Sequence, residues 1–130
     1  HEMAEIGVLP TFFVIAGIVT VLIFLTELTS NTATTATFLP VVAGLAIGIG
    51  ENPILLALPA TVAASCAFMM PVATPPNAIV FGSGYLTIPN MLKTGVWMNI
   101  LSIILIVLLI YFGLPIIWDL ELNEFPKYLK

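Results

Sequence analysis

Charged residues are scarce in this chain. They make up 8% of the 130 residues, whereas soluble domains contain about 25%. The basic residues are three lysines, arginine is absent and the net charge is −4, which argues against a nucleic-acid partner. With 60% hydrophobic residues and a mean hydropathy of +1.16, a chain of this size has too little interior to hide its apolar surface from water. We therefore expect an integral membrane protein.

Cysteine and histidine occur once each, as Cys66 and His1. A single cysteine excludes an internal disulfide. No His/Cys cluster with metal-ligand spacing is present, and no nucleophile–base pair is recognisable. We therefore expect no enzymatic activity.

The longest uncharged stretch predicts the final transmembrane helix. Residues 95–118 are almost entirely apolar and exceed the roughly 20 residues needed to cross a bilayer. Trp97 and Trp118 near its ends are typical of interfacial aromatic belts. We assign residues 89–118 to this helix and residues 119–130 to a polar carboxy-terminal tail.

A polar sequence, TELTSNTATTAT, interrupts the apolar residues of the first third of the chain. Each flanking apolar run is shorter than a membrane span. The pattern predicts a re-entrant helical hairpin over residues 11–50, with Ser30-Asn31-Thr32 at its tip, after a connecting segment of residues 1–10. The alternative is a single spanning helix that continues through the polar stretch and exposes it to lipid.

Two consecutive prolines predict a discontinuous transmembrane helix over residues 51–88. Pro75 and Pro76 cannot donate backbone hydrogen bonds, and Pro76 also disfavours a helical conformation of Pro75. We expect the break at residues 73–76 and a new helix near Asn77. A broken backbone survives in lipid only beside protein or a water-filled cavity, so the break indicates a binding site; simple kinks are the alternative.

Two unwound elements in a membrane segment are typical of secondary transporters. Ser, Thr and Asn side chains offer neutral oxygens to Na⁺ and hydrogen-bond donors to a carboxylate. Glu27 is the charged residue near the predicted tip. It could be solvated at a cavity rim, paired with an amino-terminal half outside this sequence, or help to attract Na⁺, and the sequence does not choose between these roles.

The tip and the proline motif resemble those of a known family. The Ser30-Asn31-Thr32 tip and the residues from Ala64 to Val80, which include Thr74-Pro75-Pro76-Asn77, resemble the divalent anion/sodium symporter family. The stretch 64–80 matches the family's signature at every fixed position. The resemblance covers about residues 11–118 and is closest to the carboxy-terminal half of a Na⁺/dicarboxylate transporter.

The resemblance implies an all-α integral membrane fold. The re-entrant helical hairpin, the broken transmembrane helix and the final transmembrane helix would form the second inverted repeat of an elevator-type transporter. Members of the family are homodimers. The amino-terminal half of the transporter would supply the first repeat, and membrane lipid would surround the rest.

The resemblance also implies ligand roles by position. The residues that would bind or line the site of a substrate carboxylate are Ser30, Asn31, Thr32, Thr74 and Pro75. Those that would surround a coupling Na⁺, several through backbone carbonyls, are Thr26, Thr29, Asn31 and Ala73.

The function predicted on this basis is Na⁺-coupled import of di- or tricarboxylates such as succinate, malate, fumarate and citrate. The location would be the cell inner (plasma) membrane, which the protein would cross several times. Two alternatives stay open: a Na⁺-independent anion exchanger of the same family, and a non-transporting structural membrane segment. A sulfate substrate is a weaker option.

Overall fold

The computed structural model describes the backbone of residues 2–118 and the side chains of residues 11–117, and the predicted tail lies outside them. Within that part of the chain all regular structure is helical, which confirms the all-α prediction. The helices are α1 (Glu2–Thr26), α2 (Asn31–Gly48), α3 (Pro53–Ala63), α4 (Pro75–Gly82), α5 (Ile88–Leu108), a π-helical turn (Leu109–Gly113) and α6 (Leu114–Trp118).

A short turn, residues 27–30, separates α1 from α2. The polar stretch is therefore not part of one continuous helix, and that alternative is wrong. α1 already begins at Glu2, so residues 2–10 extend the first helix instead of forming a separate connecting segment. The acidic residues mark where the apolar part of the helix starts, but Glu is itself a good helix former.

Contacts at the two ends of the helices set their relative directions. The Thr11 hydroxyl donates to Glu51 Oε1 at 2.8 Å, beside the start of α3. The Thr26 hydroxyl lies 2.8 Å from the carbonyl oxygen of Ala64, just past the end of α3. α1 therefore runs parallel to α3, and α2 runs antiparallel to both.

The break in the predicted transmembrane helix starts earlier than the sequence indicated. α3 ends at Ala63 and α4 begins at Pro75, so the break is the whole of residues 64–74, called the unwound segment below, and not residues 73–76. Pro71 has no N–H with which to bond the Ala67 carbonyl in a helix. Asn77 Nδ2 donates to that carbonyl instead, at 3.0 Å.

The final helix runs antiparallel to α1 and packs along it. The ring of Tyr111 meets that of Phe12 edge to face, with centroids 5.8 Å apart, and Asn99 contacts Glu27 near the other end of α1. The π-helical turn ends two residues before Pro115, which cannot donate to the Tyr111 carbonyl. Such a local widening of the helix is a common response to a lost hydrogen bond.

Apolar side chains fill the centre of the bundle and also cover its outside. The buried core includes Val19 and Ile23 of α1, Leu56 of α3 and Ile106 of α5. Large apolar side chains on the outer faces, such as Leu101, are exposed. Of the described helices, Asn31–Gly48 and Ile88–Ile117 are long and apolar enough to cross a membrane, by length and composition.

Gly95 brings α5 against the unwound segment. A Cβ atom at this position would lie 2.5 Å from Met69 Cα and 2.5 Å from the carbonyl oxygen of Phe68. Both neighbours are backbone atoms, which cannot swing aside as a flexible side chain could. The close approach therefore requires glycine.

Replacing Gly95 by alanine should destabilise the protein. The added methyl group forces α5 away from residues 68–69, and overpacking of this kind costs about 1–3 kcal/mol. Gly17→Ala is the matched control, because Gly17 is an exposed glycine of α1 with open space around its Cα. Thermal unfolding of the detergent-solubilised protein should show a lower melting temperature for Gly95→Ala alone; equal values for the two variants would contradict the packing argument.

Candidate functional site

The tip of the hairpin is built by hydrogen bonds that end α1 and start α2. Ser30 is the N-cap of α2, and its hydroxyl accepts the N–H of Ala33 at 3.0 Å. The Thr29 hydroxyl donates to the Leu25 carbonyl at 3.0 Å and lies 2.6 Å from the Thr34 hydroxyl. The N–H groups of the first two residues of α2, which have no partners within a helix, point out of its end.

An oxygen-rich corner lies beside the tip. Thr26 Oγ1 is 2.7 Å from Asn31 Oδ1 and 2.8 Å from the Ala64 carbonyl oxygen, and Thr26 is fully buried. A hydroxyl has one hydrogen, so it can donate to only one of these two acceptors. In the observed orientation of the Asn31 amide, the corner is therefore one donor short.

Glu27 ties the turn to the unwound segment. Its Oε1 accepts the N–H groups of Phe68 at 2.8 Å and Met69 at 3.0 Å, and its Oε2 accepts those of Met69 at 3.0 Å and Met70 at 3.1 Å. Asn99 Nδ2 donates to Oε1 at 2.8 Å. The carboxylate is thus the shared acceptor for three consecutive backbone N–H groups and one amide.

This arrangement gives Glu27 a role that the sequence analysis did not include. The residue is only 3% exposed, so it is not solvated at a cavity rim. Hydrogen bonds to a charged acceptor contribute about 1.5–3 kcal/mol each, which makes this the strongest set of polar contacts between the turn and the break. An isolated Glu in a long uncharged stretch is the signal that marks such a residue.

Asn77 closes the unwound segment from its other side. Its Nδ2 donates to the carbonyl oxygens of Ala67 at 3.0 Å and Met70 at 3.1 Å. Glu27 therefore satisfies N–H groups of this stretch, and Asn77 satisfies carbonyl groups. In the sequence Asn77 is recognisable only as part of the proline motif, and its position directly after the proline pair gives no sign of these partners.

The start of α4 offers few hydrogen-bond donors. Its first two residues, Pro75 and Pro76, have no N–H, and the N–H of Asn77 is directed at the hydroxyl of the N-cap Thr74 at 3.4 Å. The polar group that this end of the unwound segment can offer to a ligand is therefore the Thr74 hydroxyl.

The predicted ligand residues thus lie in two groups around the unwound segment. Thr26 and Asn31 are in direct contact, and Thr29 and Ser30 lie in the same turn. Thr32 is exposed in the first turn of α2, and Pro75 is exposed at the start of α4. Ala73 is 7% exposed, and Thr74 follows it.

Replacing Glu27 by glutamine should destabilise the protein strongly. The Gln amide presents NH₂ in place of one oxygen, so backbone N–H groups of residues 68–70 lose their acceptor, at a cost of about 1–3 kcal/mol for each unsatisfied group. Glu51→Gln is the matched control, because half-buried Glu51 accepts one side-chain hydrogen bond, from Thr11. Thermal unfolding in detergent measures the difference. Glu27→Gln protein as stable as Glu51→Gln protein would contradict the proposed anchoring.

Comparison with known proteins shows which family the chain resembles. Residues 2–118 match the family described as "Sodium:sulfate symporter transmembrane region". A protein named sodium-dependent dicarboxylate transporter SdcS from Staphylococcus saprophyticus is 48% identical over 124 residues, which are 95% of this chain and 24% of that protein. The protein of the same name from Staphylococcus aureus strain USA300 is 49% identical over 105 residues, 81% of this chain and 20% of that protein.

The chain therefore spans about a quarter of the length of these relatives. The family match, in contrast, covers every residue whose backbone is described here. It includes the hairpin turn, the unwound segment and the final helix. The chain belongs to the sodium:sulfate symporter family.

Proposed function

We propose that the chain forms part of a Na⁺-coupled importer of C4-dicarboxylates such as succinate, malate and fumarate, with citrate as a larger candidate substrate. The observation that carries this proposal is the identity of 48–49% to proteins named sodium-dependent dicarboxylate transporters. The chain would form the second inverted repeat, in the carboxy-terminal half of an elevator-type homodimer in the cell inner membrane. The amino-terminal half would complete the pocket.

The start of α2 is the proposed contact for one substrate carboxylate. The N–H groups of Asn31 and Thr32 point out of the helix end, where the helix dipole also favours an anion. Thr32 is exposed there and can add its hydroxyl. Across the unwound segment, the Thr74 hydroxyl and Pro75 would line the same pocket.

The corner around Thr26 is the proposed Na⁺ site. Thr26, Asn31 and Ala64 bring three neutral oxygens together with one hydrogen too few. A bound cation would compensate this shortage, and neutral oxygens are ligands that hard cations accept. Rotation of the Asn31 amide could also compensate it. Thr29 and Ala73 would complete the coordination through backbone carbonyls.

The depth of the tip supports a re-entrant hairpin. The continuous helical stretch from Ile88 to Trp118 is about 46 Å long at 1.5 Å per residue, and Asn99, which contacts Glu27 of the turn, lies about 16 Å from its start. If this helix crosses the bilayer, the tip lies well inside the ~30 Å hydrocarbon core. An elevator mechanism needs a substrate site at such a depth.

Uptake of labelled succinate into proteoliposomes should depend on Na⁺. The protein to reconstitute is the complete transporter that carries this segment. An inward Na⁺ gradient should drive accumulation, and replacement of Na⁺ by K⁺ should abolish it. Uptake that ignores Na⁺ but requires internal dicarboxylate would favour the exchanger alternative. A folded protein that carries no dicarboxylate would contradict the proposal.

Asn31→Ala and Thr32→Ala should weaken succinate binding in the same assay. Thr32→Ala removes the hydroxyl offered to the substrate carboxylate, and Asn31→Ala removes the side-chain oxygen that belongs to the neighbouring Na⁺ corner beside Thr26. Loss of one contact to a charged group costs about 1.5–3 kcal/mol, which predicts at least about a tenfold rise in KM for each variant. Thr61→Ala is the control, because Thr61 is an exposed threonine whose hydroxyl bonds only to its own helix, at the Ala57 carbonyl. A rise in KM of the same size for all three variants would show that the assignment of the tip to the substrate site is wrong.

A further inference from the structure

The inner face of α5 carries two small or polar residues one helical turn apart, Gly95 and Asn99. Residues spaced by four lie on the same side of a helix. Both meet the junction at which Glu27 binds the unwound segment. Neither belongs to the ligand residues proposed above.

The presence of a polar asparagine at position 99 is explained by its hydrogen bond to Glu27 and not by any contribution to the stability of α5. The side chain is completely buried, and its Nδ2 donates to Glu27 Oε1. Because a carboxylate can only accept hydrogen bonds, this fixes the orientation of the amide. Its Oδ1 is then buried with no partner among the described residues. An apolar side chain would avoid that unpaired acceptor but would give up the bond to Glu27.

Gly95 allows the unwound segment to pack directly against the backbone of α5. The backbone of Phe68 and Met69 occupies the space that a Cβ atom at position 95 would need. The backbone of Phe68 and Met69 therefore contacts both the Glu27 carboxylate and the surface of α5. The two α5 residues act on the two components of this junction: Asn99 on the carboxylate and Gly95 on the backbone.

The junction joins the two chain segments that carry the proposed Na⁺ ligands. Glu27 directly follows Thr26 and precedes Thr29 in the turn, whereas the backbone that it binds ends at Met70, three residues before Ala73. A shift of Glu27 relative to residues 68–70 would therefore change the distance between the turn ligands and Ala73. Gly95 contacts the backbone and Asn99 contacts the carboxylate, so this face of α5 restrains both partners of such a shift.

We propose that Gly95 and Asn99 are positioning residues for the Na⁺ site, which they control from the final helix without touching the ion. This inference rests on the proposed function. According to this inference, α5 affects the affinity for Na⁺, whereas the start of α2 and Thr74 make the contacts to the substrate.

The test replaces Asn99 by leucine in the complete transporter. Leucine has a similar volume but no donor for Glu27. The Na⁺ concentration for half-maximal succinate uptake should rise by about tenfold, the typical effect of one lost bond to a charged group. At saturating Na⁺ the KM for succinate should stay within about twofold of wild type, because the contacts that bind substrate are intact. Na⁺-dependent stabilisation in a thermal unfolding assay gives a second measure, independent of transport.

Asn90→Leu is the matched control, since Asn90 is an exposed asparagine of the same helix and should keep the Na⁺ dependence of wild type. If Asn99→Leu does not accumulate in membranes, Asn99→Ser, whose shorter hydroxyl cannot reach Glu27, is measured by the same criterion. Unchanged Na⁺ dependence would overturn the inference. So would a parallel rise of the Na⁺ requirement and the succinate KM, which indicates general damage. A wild-type protein indifferent to Na⁺ would overturn the proposed function itself, before any variant is compared.

Discussion

The binding of three consecutive backbone N–H groups by one buried carboxylate is the interaction on which the rest of this structure depends. A helix that stops inside a membrane leaves backbone groups without partners, and lipid offers none. Glu27 supplies acceptors for residues 68–70, and Asn77 supplies donors for two carbonyls of the same stretch. The hairpin turn and the broken helix are therefore parts of one arrangement, and neither is stable in this form without the other.

This arrangement also determines which polar groups can bind an anion and which can bind a cation. The N–H groups of residues 68–70, in the middle of the unwound segment, are already bound to Glu27. The two prolines deprive the start of α4 of donors. The start of α2 is left as the end that can hold a carboxylate, while the corner beside it presents the oxygens of Thr26, Asn31 and Ala64. A cation and an anion would thus bind side by side, where each lowers the electrostatic cost of the other.

The sequence predicted the features that local chemistry determines. Hydropathy located the final helix and the polar stretch marked the turn. The prolines marked the start of α4 to within two residues, since the helix begins at Pro75 and not at the predicted Asn77. The end of α3 was predicted too late, because it depends on an acceptor that lies 41 to 43 residues away in the chain. The contact of Gly95 with the unwound segment depends in the same way on tertiary packing. The ligand roles came from resemblance alone, since spacing cannot show which threonine oxygens converge.

Under the proposed function, these contacts also limit which parts of the protein can move relative to one another. Glu27 joins the turn to the unwound segment, Asn77 joins that segment to α4, and Asn99 joins the same junction to α5. Separating any of these elements would leave buried polar groups without partners, which is costly in a medium of low dielectric constant. In the proposed mechanism, a movement that exposes the site alternately to the two sides of the membrane would therefore carry the tip, the break and α5 together. The sliding boundary of that mechanism would lie on the outer faces of the bundle, where the described side chains are largely apolar and exposed.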